Sequence, residues 1–295
     1  MKALAANENR INKGLAALHA LLCFVIPLKV KEKQHCKSIR IFYGRFSGFC
    51  GQNTTAGAIF ALAYQLQIKN TGMIDIDIDK RIVDVCPEVK IGMVRAHVTN
   101  PPTCDELWAE IEQAASDIKQ RYQLLEINKR PAVAATRRLY KALGKDPGRY
   151  RMSSEALCRR IIKGLGIYRL TTLIDVVNLV SIVSGYSISG LDADKIVGGS
   201  LTMGVGRHDE EYHGIGRGEL NIEGLPVYRD AVGGIATPTS DEERTKFTPE
   251  TVTAQININA FAPEMDLQKA VDWTVELLKK YAGATDIETR IASNF

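Results

Sequence analysis

The sequence is short of paired cysteines and of long hydrophobic runs. Its 295 residues include six cysteines, no two of which have the spacing Cys-X-X-Cys. This scarcity argues against a disulfide framework and against a zinc site, so we expect reduced thiols and a cytoplasmic protein. With 45% hydrophobic and 24% charged residues, the composition excludes collagen-like, low-complexity and wholly disordered chains.

The longest apolar run also argues against a membrane protein. It extends from Leu15 to Leu28, is 14 residues long and is interrupted by His19 and Pro27, whereas a membrane-spanning helix needs about 20 residues. A signal peptide is the alternative, because basic residues precede the run. No small-residue cleavage site follows it, so secretion is disfavoured.

The net charge of +4 conceals an uneven distribution. Residues 1–72 carry ten Lys or Arg and two Asp or Glu, a net charge of +8, and the remaining residues carry −4. Directly after Met73, apolar and acidic residues alternate through Asp79, which is typical of a half-buried strand. We therefore expect residues 1–72 to be a poorly ordered or misannotated extension and residues 73–295 to form one domain.

Hydrophobic periodicity predicts a mixed α/β domain after Met73. Thr103 and Glu106 form a capping-box pattern, and Ser153 is a good N-cap residue. Residues 171–183 favour a buried helix, although their β-branched run leaves a strand open. Further helices are predicted from residues 103, 131, 153 and 266, and strands at residues 74–79, 89–98, 201–205, 219–222, 226–229 and 253–261.

A basic segment stands out within this acidic domain. Residues 129–169 hold twelve Lys or Arg against Asp146 and Glu155, a local charge of +10. Such a patch attracts polyanions, and the interspersed Tyr140, Tyr150 and Tyr168 could stack on bases. The alternative is a solvated pair of helices whose cations pair with acids elsewhere. The residues predicted to bind RNA are Arg137, Arg138, Lys141, Arg159, Arg160, Lys163 and Arg169.

Candidate chemistry in the rest of the chain is sparse. The string from Gly204 to Gly214 contains two histidines at a spacing that fits no metal motif, which favours an exposed turn. No metal or cofactor is therefore expected. The pair Gly233-Gly234, followed by the polar residues 237–241, is either a plain loop or a place where the backbone approaches a ligand.

Asp175 and Asn178 lie in an otherwise apolar stretch. Buried polar groups must be hydrogen-bonded, so these two side chains are either internal fasteners, which the rule favours, or pocket-lining groups. No Ser-His-Asp, Cys-His or phosphate-cradling pattern is present.

The order of several motifs resembles the B3/B4 domain of the phenylalanyl-tRNA synthetase beta chain. In the family, a basic helix precedes a stretch GIRxINxVVDVTNY and then LGQPxHAFDxDKI. Here the corresponding segments are LCRRIIKGLGIYR (157–169), LIDVVN (173–178), SGY (184–186), LDADKI (191–196), YRD (228–230) and GGI (233–235). In length, the chain from Met73 onward is similar to stand-alone B3/B4 proteins, which lack the catalytic and anticodon-binding modules of the synthetase.

This resemblance implies an α/β (α+β) fold with a β-sandwich of unusual topology flanked by helices. In the synthetase the domain hydrolyses tyrosine wrongly attached to the tRNA for phenylalanine. Asp175, Asn178, Gly233 and Gly234 match residues of the family's editing pocket, but Ser189 replaces the family's histidine, and its glutamate after the glycine pair has no secure counterpart. The catalytic residues are thus unassigned.

The resemblance leads to two functional hypotheses. The first is a stand-alone protein that binds tRNA or an aminoacyl group, with hydrolysis of mischarged aminoacyl-tRNA in trans left open. The second is a non-catalytic module that binds a free amino acid in the same pocket. Neither DNA nor a membrane is expected as a partner.

Overall fold

The structure is a computed structural model that describes residues 72–294. The strands, in chain order, are β1 (Asp75–Ile78), β2 (Lys90–His97), β3 (Ser187–Asp192), β4 (Ser200–Val205), β5 (His213–Gly214), β6 (Gly218–Glu219), β7 (Pro226–Arg229), β8 (Gly234–Ala236), β9 (Thr253–Ala260) and β10 (Thr285–Ser293). The α-helices are α1 (Lys80–Val85), α2 (Asp105–Arg121), α3 (Pro131–Ala142), α4 (Ser153–Ile162), α5 (Thr172–Ser184) and α6 (Leu267–Ala282). Apart from Gly72, the predicted extension 1–72 lies outside the described residues.

Two four-stranded sheets form the centre of this region. The first has the order β1-β4-β7-β8 and the second the order β10-β2-β9-β3, while β5 and β6 form a separate hairpin. Strand β1 pairs with β4 in parallel, and the other pairs are antiparallel. The predicted fold class, an α/β sandwich flanked by helices, is confirmed.

The second sheet lies between two hydrophobic cores, and successive side chains of its strands point alternately into one core and the other. On one face, Met93 and Leu191 pack with Met203 and Ile235 of the first sheet. On the other face, Ile256 and the residues that alternate with it pack against α2, α5 and α6. The layers are therefore first sheet, second sheet and helices.

Helix α5 is the most deeply buried helix of the helical layer. Its N-cap is Thr171, and Gly185, at φ +79°, ends it in the left-handed conformation. Helices α2, α4 and α6 and strand β3 surround it, so apolar residues are needed on nearly every side. Of the two alternatives for residues 171–183, the helix is confirmed.

Several local predictions are wrong. Cys104, not Thr103, occupies the N-cap position of α2, because the Thr103 hydroxyl donates to Asp175 instead. The N-cap of α4 is Met152, so Ser153 is its first helical residue. Of the strand predicted at 219–222, only Glu219 lies in a strand, the two-residue β6.

The predicted turn between two strands at 204–214 is confirmed. Residues after β4 leave the first sheet and reach β5 through an exposed turn in which Asp209 has φ +51°. No cluster of three or more potential metal ligands occurs between residues 72 and 294. Among the helices of this same stretch, none is long and apolar enough to cross a membrane.

Candidate functional site

A hairpin that ends at Asp241 connects the edges of the two sheets. Strand β8 is the edge of the first sheet; after a turn the chain returns at Asp241, which forms a bridge with Ala236. The turn is held by Thr237, whose hydroxyl oxygen accepts from the Ser240 amide at 3.1 Å. Across the gap, the Gly190 amide of edge strand β3 donates to Asp241 Oδ2 at 3.0 Å. Asp241 thus occupies the open edge of the sandwich.

The surroundings of Asp241 favour its protonated form. Burial raises its pKa to about 7, and the Gly190 amide and the Ser189 hydroxyl oppose this shift only in part. The phenols of Tyr212 and Tyr228 lie close enough to interact with it, and burial raises their own pKa values above the usual range. Of Asp241, Tyr212 and Tyr228, only Asp241 therefore has a pKa near neutral pH.

A row of amide side chains lies buried between the sheets beside Asp241. Gln255, Asn257 and Asn259 alternate along β9 and are at most 1% exposed. The Tyr228 hydroxyl donates to Asn259 Oδ1 at 2.5 Å, and Gln255 Nε2 donates to Asn257 Oδ1 at 2.8 Å. The strand pairing places Asn257 opposite Ser189.

Three polar atoms of this row and its neighbour lack hydrogen bonds. Within the described residues, Gln255 Oε1, Asn257 Nδ2 and Ser189 Oγ are buried without a partner. Buried polar atoms are nearly always paired in folded proteins, and unpaired ones indicate a place for water or a polar ligand. The Ser189 hydroxyl also interacts with Asp241, without meeting normal hydrogen-bond geometry.

The predicted glycine pair leads into the Asp241 hairpin. The Gly233 amide donates to Asp230 Oδ1 at 3.1 Å, and nothing lies within 4 Å of the place where a Cβ would stand. At Gly234, the first residue of β8, a Cβ would be 3.1 Å from Tyr212. Gly233 is therefore the open member of the pair, whereas Gly234 permits close packing.

Asp175 and Asn178 lie in the helical layer, away from Ser189 and the glycine pair. Ile188 and the other residues that alternate with Ser189 face the helical core, so Ser189 points toward the first sheet, whereas Asp175 belongs to the helical layer. None of the hydrogen bonds of Asp175 or Asn178 between residues 72 and 294 reaches Ser189 or the glycine pair. A shared pocket for all five predicted residues stays a prediction from the resemblance.

Two contacts of Asp175 fit the internal fastener that the sequence favours, whereas its buried Oδ1 has no partner with normal hydrogen-bond geometry within the described residues. Its Oδ2 accepts from the Thr103 hydroxyl at 2.5 Å and from the Leu170 amide at 2.9 Å, and its side chain is fully buried. Burial raises its pKa, against the opposing effect of these donors and of Asn178. The carboxyl joins the start of α5 to the segments before α2 and before α5.

We expect Thr103→Val to lower the free energy of unfolding by about 1–3 kcal/mol, because a buried carboxyl loses a donor without a change in side-chain shape. Urea unfolding followed by circular dichroism measures the loss. Thr103→Ser keeps the hydroxyl and is the matched control. A valine variant as stable as wild type would contradict the fastener role of Asp175.

A second feature, here named the basic cleft, is a surface cleft of about 210 Å³ beside α4. Its lining includes Ala156 and Leu165, and every charged residue of the lining is a cation. The cations are Arg149, Arg151, Arg159, Arg160, Lys163 and Arg217. A concave site lined by one sign of charge concentrates the electric field and attracts polyanions.

The structure divides the predicted RNA-binding residues. Arg159, Arg160 and Lys163 line the basic cleft. Arg137 is turned inward: its Nη1 lies 2.9 Å from Oε2 of buried Glu155. The other three lie outside the cleft lining: Arg169 donates to Thr103 O and Asp105 Oδ1, Arg138 is exposed and interacts with Cys86, and Lys141 is exposed.

Sequence reasoning missed four residues of these two features. Arg149 and Arg151 lie in the basic segment but were not singled out, and Arg217 comes from the distant β5–β6 hairpin, for which the sequence carries no signal. Asp241 was placed in the polar loop without a role, since its burial depends on strands from other parts of the chain.

The basic cleft and the Asp241 hairpin share two supports. On one side, the Ile215 amide of the β5–β6 hairpin donates to the Asp241 carbonyl at 2.9 Å, and Arg217 of that hairpin lines the cleft. On the other side, the Ser153 amide at the start of α4 donates to Pro238 O at 2.8 Å. The acidic group and the cation-lined surface are therefore structurally joined.

The fold is an α/β sandwich of two sheets, flanked by a layer of helices. Its polar edge site consists of Asp241 at the open edge and the basic cleft beside it. The B3/4 domain model matches residues 135–283, half of the chain, and the protein belongs to the B3/4 domain family. The resemblance predicted from the motifs is thereby confirmed.

Among solved structures, the chain is similar to an N-terminal fragment of the phenylalanyl-tRNA synthetase beta-subunit from Pyrococcus horikoshii. The identity is 13% and the TM-score 0.36, and the match covers 75% of this chain and 50% of that fragment. The chain thus spans about half the length of the fragment. Comparison with curated protein sequences gave no match.

Proposed function

We propose that the protein binds tRNA along the basic cleft and hydrolyses, in trans, the ester that joins a wrongly attached amino acid to the RNA. The observation that supports it best is Asp241, a carboxyl with a pKa of about 7 on a hairpin that also contacts the walls of the basic cleft. Membership of the B3/4 domain family agrees with a synthetase-related role. In line with the cysteine usage, we place this activity in the cytoplasm.

The chemistry required is modest. A water molecule attacks the ester carbonyl and loses a proton, the bond between the acyl carbon and the ribose oxygen breaks, and the released ribose hydroxyl takes up a proton. A general base works best when its pKa is close to the operating pH. The Gly190 amide holds Asp241 Oδ2, and in this proposal Oδ1 accepts the proton.

The basic cleft supplies the affinity for RNA in this proposal. Lys and Arg neutralise phosphates and release bound counterions, so affinity should fall steeply as salt rises. A guanidinium group can also bind two oxygens of one phosphate through two parallel hydrogen bonds. Five of the six cations in the lining are arginines, and six cations on one surface suit a polyanion that places several phosphates side by side.

The test is the hydrolysis of mischarged aminoacyl-tRNA by the full chain in substoichiometric amounts. We expect amino acid to be released faster than by spontaneous hydrolysis, and Lys163→Gln to raise KM because it removes a cleft cation. Lys279→Gln, an exposed lysine on α6 that does not line the cleft, is the matched control. Release at the spontaneous rate, even with stoichiometric protein, would exclude the activity.

A second candidate function, binding of a free amino acid without hydrolysis, is favoured by the unpaired atoms Gln255 Oε1, Asn257 Nδ2 and Ser189 Oγ. Such atoms could receive the amine and carboxylate of a small ligand. A rise in melting temperature with free amino acids, in a protein that shows no turnover, would support this function over the first.

A further inference from the structure

The loop between α4 and α5 exposes apolar side chains next to the basic cleft. Leu165, Tyr168 and Leu170 are 61%, 67% and 50% exposed. Gly164 and Gly166 have φ values of +72° and +64°, and nothing lies within 4 Å of a Cβ built on either residue. The loop therefore projects from the surface, and a concentration of exposed apolar residues of this kind marks an interaction site.

Tyr168 is held in place by a cation of the basic cleft. The guanidinium carbon of Arg160 lies 4.7 Å from the centre of the Tyr168 ring. Arg160 also donates to the carbonyls of Gly166 at 3.3 Å and Leu165 at 3.4 Å. Because Arg160 and Leu165 both line the cleft, the aromatic ring stands at its rim, stacked on one side by the cation and open to solvent over most of its surface.

The other two tyrosines predicted to stack on bases are less accessible. Tyr140 is 1% exposed, and its hydroxyl hydrogen-bonds Thr239 Oγ1 at 3.0 Å. Tyr150 is half-buried, with Lys145 Nζ 3.9 Å from its ring centre. Of the three tyrosines in the basic segment, Tyr168 is the most exposed.

We propose that Tyr168 stacks on an unpaired base of an RNA whose phosphates lie in the basic cleft, so that this surface recognises single-stranded RNA. The proposal rests on the RNA binding of the proposed function and specifies the RNA that is bound. In a duplex the base faces are covered by neighbouring pairs, whereas an unpaired base can stack on an aromatic ring while cations hold the adjoining phosphates. A ring already backed by a guanidinium group is a suitable stacking partner.

The experiment measures fluorescence anisotropy of the full chain with a labelled single-stranded RNA of about 12 nucleotides and with a blunt-ended duplex RNA of the same length. We expect the single strand to bind more tightly than the other RNA. Its affinity should fall as the salt concentration increases. Tyr168→Ala should weaken single-strand binding about tenfold and leave duplex binding nearly unchanged, because stacking on one unpaired base is lost. Tyr168→Phe keeps the ring and should retain wild-type affinity.

The outcomes separate this proposal from the proposed function. If wild type binds RNA but Tyr168→Ala binds the single strand equally well, the stacking role is excluded and the deacylase proposal stands. If single strands bind through Tyr168 but aminoacyl esters are not hydrolysed, the stacking role stands and the deacylase activity is excluded. If neither RNA binds, both fall. Tyr168-dependent binding to phosphatidylserine vesicles without a preference for single strands would overturn the proposal in favour of a lipid surface.

Discussion

Replacement of Arg130 by methionine is expected to lower the free energy of unfolding by about 3–5 kcal/mol, the loss typical when one partner of a buried ion pair is removed. Arg130 is 3% exposed, and its Nε lies 2.6 Å from Glu264 Oε1. Its two terminal nitrogens donate to the carbonyls of Ile182 and Val183 at the end of α5. Glu264 Oε2 in turn accepts from the Ala132 amide of α3, so one side chain joins three segments of the domain.

The measurement is urea unfolding followed by circular dichroism. Lys80→Met is the control, because the pair of Lys80 with Asp84 is exposed and should contribute less than about 1 kcal/mol. Arg130→Lys keeps the charge but not the planar fork that reaches several acceptors, so we expect an intermediate loss. A methionine variant with wild-type stability would show that α5 is held by packing alone.

The core elements were predictable because local hydrophobic patterns determine them. Strand β9 shows what a local pattern cannot tell. Its alternation predicts a strand correctly, but alternating polar residues usually face water, whereas Gln255, Asn257 and Asn259 are buried. The first sheet covers that face of β9, and this covering depends on strands far away in the sequence.

The missed strands have a related physical cause. Strand β10 is largely exposed along its length and β3 is buried along its length, so neither has the one-sided burial that produces an alternating sequence pattern. β8 has only three residues and follows the glycine pair, which favours a turn in the sequence. Strand pairing, not local propensity, forms these three elements.

The basic segment was recognisable from the sequence. Which of its cations line the basic cleft and which pair with buried acids was not. The buried carboxylate of Glu155 pairs with Arg137 at 2.9 Å and approaches Arg159 within 3.8 Å, so one acidic residue orients cations that charge counting treats as equivalent. Arg217 joins the cleft from a separate hairpin. A linear charge count detects the presence of such a surface and not its members.

The largest effect on activity is expected from Asp241→Asn, which should reduce the proposed deacylation by about 10²–10⁴-fold. Asparagine can still accept a hydrogen bond from the Gly190 amide, so the edge of the sandwich should stay intact. It cannot take a proton from water. Asp209→Asn is the matched control, because Asp209 is an exposed carboxylate at positive φ, where asparagine is well tolerated.

The pH profile distinguishes a general base from a structural role of Asp241. The base must be ionised, so the wild-type rate should rise with pH and level off above about 7, the pKa to which burial raises this carboxyl. The phenols of Tyr212 and Tyr228, which interact with it, do not titrate in this range because burial raises their pKa values further. The residual activity of Asp241→Asn should lack this rise, and an unchanged profile would assign the proton transfer to another group.

The free energy of unfolding is a second readout of Asp241, and its pH dependence runs opposite to that of the activity. The pKa of Asp241 is higher in the folded protein than its ordinary value of 3.8, so the folded state prefers the protonated acid and loses stability as pH rises from about 4 through 7. Asp241→Asn removes this dependence. Its stability relative to wild type should therefore increase across that interval, while its activity falls, a combination that a simple folding defect cannot produce.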